Sequence, residues 1–157
     1  VSHHFADLFE ETSPERRQVE ALDGRVFEFS RFLAEVAHAQ DVGAQFEGVV
    51  TYHDSCHALR ELHIHSAPRM LLSHVRGLTL REMGAAQECC GFGGTFSIKF
   101  PEVSGGMART KIDSIVETGA KTVVSIDSSC LMQLQGAISR AGLPIRTMHL
   151  AEVLASR

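Results

Sequence analysis

Two adjacent cysteines, Cys89 and Cys90, are followed at once by Gly91-Phe92-Gly93-Gly94. Neighbouring Cα atoms across a trans peptide lie about 3.8 Å apart, which does not suit a disulfide between the pair. A bent backbone can instead aim both thiolates into one metal site. Gly91, Gly93 and Gly94 permit positive φ and let the chain approach a bulky ligand closely. The amide N–H groups of such a loop would also face the negative charge of thiolates and sulfides. The remaining cysteines, Cys56 and Cys130, have to be read against this loop.

Along the chain the pattern changes once. Up to about Gln40 it reads as helices. Phe5, Leu8 and Phe9 form an apolar stripe, Ser13-Pro14-Glu15 is a helix start, and Val26, Phe29, Phe32, Leu33 and Val36 recur at helical spacing. His3 and His4, at the very start, read as solvent-exposed. Beyond that, strands alternate with helices. Val49 to Tyr52, Leu78 to Met83, Thr122 to Ile126 and Ile145 to Met148 read as strands. Ala67 to Val75 reads as a helix ended by Gly77. Further helices run from Pro101 to Gly119, from about Cys130 to Gly142, and from His149 to Ala155. This predicts an α/β fold: a small parallel sheet of about four strands with flanking helices and a helical N-terminal extension. The expected organisation is a single domain, with 1–45 as the extension and 46–157 as the α/β core.

The cysteines then fall in comparable places. Cys56 follows the first strand, Cys89 and Cys90 the second, and Cys130 the third, at the start of a helix. Ligands of open α/β sheets bind beyond the carboxyl ends of the strands. Four residues far apart in sequence are therefore expected to converge at one sheet edge, three of them in solvent-facing loops.

Composition narrows what they do there. The 157 residues are 44% apolar and 22% charged, and the net charge of −4, without a basic cluster, argues against a nucleic-acid footprint. No apolar run approaches a membrane span and no signal peptide opens the chain, which favours a reducing, cytoplasmic setting. There, four thiols suggest metal binding or catalysis more than structural disulfides. Three chemistries fit: a zinc site completed by His53 or His57, a thiol–disulfide pair such as Cys56 with Cys90, and an iron–sulfur cluster. Gly91-Phe92-Gly93-Gly94 is too short a match to count as a dinucleotide loop.

The words Tyr52-His53-Asp54-Ser55-Cys56-His57, Cys90-Gly91-Phe92-Gly93-Gly94-Thr95-Phe96-Ser97 and Ser129-Cys130-Leu131-Met132, with their spacing, resemble the cysteine-rich (CCG) domain family. This is the domain of heterodisulfide reductase and glycolate oxidase iron–sulfur subunits and of lactate-utilisation proteins, and the flanking words fit the last best. The resemblance covers essentially the whole chain. It implies an iron–sulfur, electron-transferring subunit of a cytosolic complex that oxidises L-lactate or a similar 2-hydroxy acid. Its partners would be iron–sulfur and flavin-type redox proteins. Carried over residue by residue, it implies Cys56, Cys89, Cys90 and Cys130 as ligands, with Gly91, Gly93 and Gly94 wrapping the cofactor. Asp127 and His57 are further candidates. Proteins of this family usually carry two such domains, and the chain corresponds to the second. The fullest family pattern closes with Cys-x-x-Cys, and Asp127 stands where its first cysteine would fall. Asp127 is thus an oxygen ligand, a cap of the helix that begins near Cys130 or a bystander beside the site, and the cluster type stays open. The alternative function is a zinc-stabilised or thiol–disulfide assembly domain without a cluster.

Overall fold

The computed structural model describes residues 4–157; Val1, Ser2 and His3 lie outside it. The chain forms two compact units, one ending at His38 and one from Ala39 to Arg157. In the first, helix α1 spans Pro14–Glu20, capped by the Ser13 hydroxyl, which accepts from Arg16 N at 3.1 Å. Helix α2, Phe29–Arg31, runs on into a π-helical turn, Phe32–Val36. His4 is exposed, as expected, 3.6 Å from Asp7. The apolar stripes expected here are not buried. Among residues 4–38 no hydrophobic side chain is fully enclosed, and Leu8, Phe29, Phe32 and Val36 are exposed.

The second unit is the expected α/β fold. Strands β1 (Gln45–Tyr52), β2 (Arg76–Leu80), β3 (Thr122–Ser125) and β4 (Arg146–His149) form one sheet in the order β2-β1-β3-β4, every pair parallel. Helix α3 (Ser66–Ser73) joins β1 to β2. Helices α4 (Thr95–Lys99) and α5 (Pro101–Glu117) lie between β2 and β3. Helix α6 (Ser128–Arg140) joins β3 to β4, and α7 (Leu150–Leu154) closes the chain. Strand β2 starts and stops earlier than its apolar run predicts. Gly77, at φ +79°, lies inside the strand instead of ending the helix before it.

The two central strands explain the core. All four residues of β3 are buried, and Val50 and Tyr52 of β1 are almost fully enclosed, as expected for strands covered on both faces. Against them pack Ile112 and Ile115 of α5 and Leu134 and Ile138 of α6. Fully burying such a side chain stabilises the fold by roughly 1.5–3 kcal/mol. Cys90 and Cys130 belong to this same cluster, so the core ends in sulfur.

The strand order also places a functional crevice. From β1 the chain moves to one side to form β2, then crosses to the other side of β1 to form β3. The order therefore reverses between β1 and β3, and ligands of open α/β sheets sit at such a switch point, beyond the carboxyl ends of the strands. The loops leaving those two ends carry His53 to Cys56 and Asp127 to Cys130.

Candidate metal centre

His53 continues the ladder past β1, its N–H donating to Val124 O at 2.9 Å. Asp54 N–H donates to Ala86 O at 3.1 Å, which ties the end of β1 to the segment that leads into the cysteine pair. Helix α5 grips the same segment. Ser114 Oγ accepts from Ala85 N at 3.0 Å, and the buried Lys111 Nζ donates to the carbonyls of Ala85 and Ala86. Burial pushes the Lys111 ammonium below its usual pKa, while Glu88 and Cys90 pull the other way. The buried Lys111 amine thus stands within electrostatic reach of Cys90 and Cys130.

Cys90 is delivered from this segment and Cys130 from the first turn of α6, and their Sγ atoms lie 3.1 Å apart. Both are enclosed, at 2% and 5% exposure, whereas Cys89 is half-buried and Cys56 exposed. The expectation of three solvent-facing cysteines is corrected here. Gly91 turns the chain under the core, so Cys90 points inward while Cys89 faces out. Cys56 and Cys89 still lie within the electrostatic reach of the buried pair: Cys89 feels Cys90 and Cys56, and Cys130 feels Cys56. Cys90 and Cys130 are the two sulfurs that come to ligand distance, with His53, whereas Cys56 and Cys89 do not join the group whose ligand atoms lie within 4.8 Å of one another.

The buried pair titrates as a unit. The sharing of one proton between the sulfurs draws the first ionisation, at Cys90, well below the ordinary thiol range. Burial opposes this, and the His53 ring and the Phe92 N–H assist it. The same sharing, reinforced by burial, holds the Cys130 thiol far above that range. Burial likewise raises Cys89, although Gly91 N–H donates to its sulfur at 3.3 Å.

Gly91, Gly93 and Gly94 all have positive φ, at +87°, +51° and +57°. At Gly91 a Cβ would stand 2.6 Å from Ser104 O, a backbone atom of α5 that cannot swing away. Only glycine lets the chain pass there and turn Cys90 inward.

Asp127 is the N-cap of α6. Its Oδ1 accepts from Ser129 N at 2.9 Å, Cys130 N at 3.2 Å and Ser129 Oγ at 2.7 Å. Burial pushes its carboxyl up, but these bonds and the nearby His57 more than reverse this, leaving it below 3.8. The cap's charged contribution is therefore complete above that pH and is lost as pH falls through the lower folded value. Asp127→Ala should cost about 0.5–2 kcal/mol in denaturant melts and leave metal content unchanged. Asp127→Asn should keep most of the stability and lose its acid dependence. His57 is exposed, at the start of a π-helical turn, His57–Glu61. The histidine that meets the sulfurs is His53, fully buried. Its ligand nitrogen and the Sγ atoms of Cys90 and Cys130 all lie within 4.8 Å of one another.

Soft thiolates beside an imidazole form a donor set suited to zinc, copper(I) or iron–sulfur groups, and unsuited to magnesium or calcium. Both His53 ring nitrogens are buried without a hydrogen-bond partner among the described residues, as expected of a group awaiting a ligand.

A four-stranded parallel sheet that brings Cys90, Cys130 and His53 together from three strand-end loops defines a class as well as a site. Residues 50–135 match the family "Cysteine-rich domain" (CCG), and the chain belongs to that family. Among curated proteins it is 41% identical over 155 residues to "Lactate utilization protein A" of Bacillus cereus (strain G9842). It is 42% identical over 155 residues to "Lactate utilization protein A 1" of Bacillus cereus (strain AH820) and to "Lactate utilization protein A" of Bacillus thuringiensis (strain Al Hakam). These matches take in 99% of this chain and 65% of each relative, so the chain spans just under two thirds of their length.

Proposed function

We propose that this chain is the iron–sulfur-bearing, electron-passing part of a cytoplasmic system that oxidises L-lactate or a closely related 2-hydroxy acid. The observation that carries the reading is the approach of the Cys90 and Cys130 sulfurs to 3.1 Å beyond the switch point of the sheet, with Cys56 and Cys89 in the same strand-end loops. It is supported by the relatives named for lactate utilisation. The cluster-bearing core is 46–157, with 1–45 as an extension of the same domain. A cluster held there would accept and release electrons singly. The chain's own residues have three tasks. The four thiolates bind the group, and Gly91, Gly93 and Gly94 let the backbone wrap it. Met83, Ile112 and Leu134, in the core beneath the sulfurs, keep water from that side. The 2-hydroxy acid itself would be oxidised on a flavin-type partner, giving the 2-oxo acid, two protons and two electrons. Among the described residues no helix is long and apolar enough to cross a membrane.

The test uses the full-length protein with its partner redox subunits, prepared without oxygen. Adding L-lactate should reduce the cluster and produce a paramagnetic signal, matched by formation of the 2-oxo acid. A cluster that dithionite reduces but lactate leaves oxidised would overturn the reading.

A further inference from the structure

His53 holds no place among the four thiolates proposed to bind the group, yet its side chain is buried without a hydrogen-bond partner among the described residues. It is 0% exposed, and this holds for both ring nitrogens. An unsatisfied buried polar atom is costly, and the great majority of such atoms in folded proteins are paired. The ring lies close enough to Cys90 to favour its thiolate, but neither nitrogen reaches it with acceptable hydrogen-bond geometry. The backbone beneath it is rigid, fixed to β3 through Val124 O on one side and to Ala86 O through Asp54 on the other. The imidazole is thus held by the sheet with a ligand atom within 4.8 Å of two sulfurs, and Cys90 is the only one of them whose ionisation it assists.

We propose that His53 is a nitrogen ligand of the metal group held by Cys90 and Cys130, making the centre a mixed thiolate–imidazole site. The inference rests on the metal-site reading above, and it holds for a single ion as well as for a cluster. Its donor atom and the two sulfurs lie within 4.8 Å of one another, close enough for one metal group to bridge all three. The neighbouring donors are committed elsewhere. Lys111 Nζ is spent on two carbonyls, Asp127 Oδ1 on the α6 cap, and His57 is exposed. A metal-bound histidine ordinarily donates its second ring N–H to an oxygen. Thr51, on the same face of the strand two residues earlier, holds the only other orphaned buried side-chain atom among the described residues, Oγ1. Beside the cysteines a neutral imidazole adds a donor without adding negative charge, which places the potential of a redox group here above that of a site with one more thiolate in its place.

Cobalt(II) tests the assignment without requiring iron or sulfide. The reduced chain, labelled with 15N-histidine, is titrated with cobalt(II) without oxygen and followed by ultraviolet absorption and proton NMR. Thiolate-to-cobalt absorption should appear together with a hyperfine-shifted imidazole N–H coupled to 15N. That resonance should persist in His57→Ala and vanish in His53→Phe, whose cobalt affinity should fall about 10-fold or more. The wild-type spectrum is decisive even if His53→Phe fails to fold. Thiolate absorption without a shifted histidine proton, a proton that survives His53→Phe, or no cobalt binding at all would overturn the proposal. A chain that binds cobalt through His53 but takes up no iron and sulfide would instead refute the cluster reading alone.

Discussion

Cys130→Ser should abolish tight metal binding while leaving the fold in place. Partners that merely orient metal ligands are each worth about 10- to 100-fold in affinity, so loss of a sulfur ligand should cost more than about 100-fold. Cys130 sits in the first turn of α6, 3.1 Å from Cys90, so removing its sulfur also dismantles the shared proton that draws Cys90 down. The remaining Cys90 thiol should therefore ionise at higher pH and react more slowly with alkylating agents at neutral pH. Cys130 is a small, 5%-exposed member of the core, and serine fits its volume with a hydroxyl that can bond within the helix turn. Far-ultraviolet dichroism should be unchanged. Metal retained with wild-type affinity in Cys130→Ser would exclude Cys130 as a ligand.

Arg69→Met should be the most destabilising substitution near the site that touches no sulfur. The Asp54 side chain is 1% exposed, and its two oxygens accept from Arg69 Nη1 and Nη2 at 2.8 Å each. Arg69 also holds Glu82 at 2.7 and 3.0 Å and lies 4.9 Å from the centre of the Tyr52 ring. Removing it leaves the Asp54 carboxylate buried, with the exposed His65 Nε2 4.0 Å away and Lys111 in electrostatic reach but spent on two carbonyls. Stranding one member of a buried ion pair costs about 3–5 kcal/mol, against total stabilities of about 5–15 kcal/mol. The companion Asp54→Ala removes the stranded charge, so the double variant should lose clearly less than the two single losses added together. Urea melts of the four proteins measure this. Strict additivity would mean that the pair is not coupled.

How far the sequence alone could lead depended on the range of each interaction. Strand and helix alternation is a local pattern, and it sufficed to predict the parallel sheet at whose carboxyl edge Cys90 and Cys130 meet. The boundaries of β2 were less legible, because Gly77 can end a helix or sit in a strand, and only the pairing of Arg76–Leu80 with β1 decides which. The short helix α4 and the π-helical turn at His57–Glu61 have no capping signal of their own. The exposed His57 and the buried His53 flank Cys56 and look alike in sequence. What separates them is that His53 extends β1 into the ladder with β3, while His57 begins a new turn. The inward turn of Cys90 depends on Gly91 meeting α5 at Ser104, and the burial of Lys111 on its bonds to Ala85 and Ala86, residues 26 and 25 positions away. The bond from Arg69 to Asp54 joins residues 15 apart across a helix and a loop, which no periodicity reveals. Asp127 was legible in part: an aspartate straight after a strand and before Ser-Ser is a natural cap, and the cap is what the structure forms.

The account stands or falls on what the four sulfurs hold, and elemental analysis of protein prepared strictly without oxygen measures that directly. Iron, acid-labile sulfide and zinc are counted per chain alongside the visible spectrum, for wild type and Cys130→Ser. The account predicts a brown protein carrying iron and sulfide together, both lost in Cys130→Ser. Air exposure should bleach the wild-type colour and admit zinc in its place. A colourless wild-type protein with stoichiometric zinc and neither iron nor sulfide, even after anaerobic reconstitution, would contradict it.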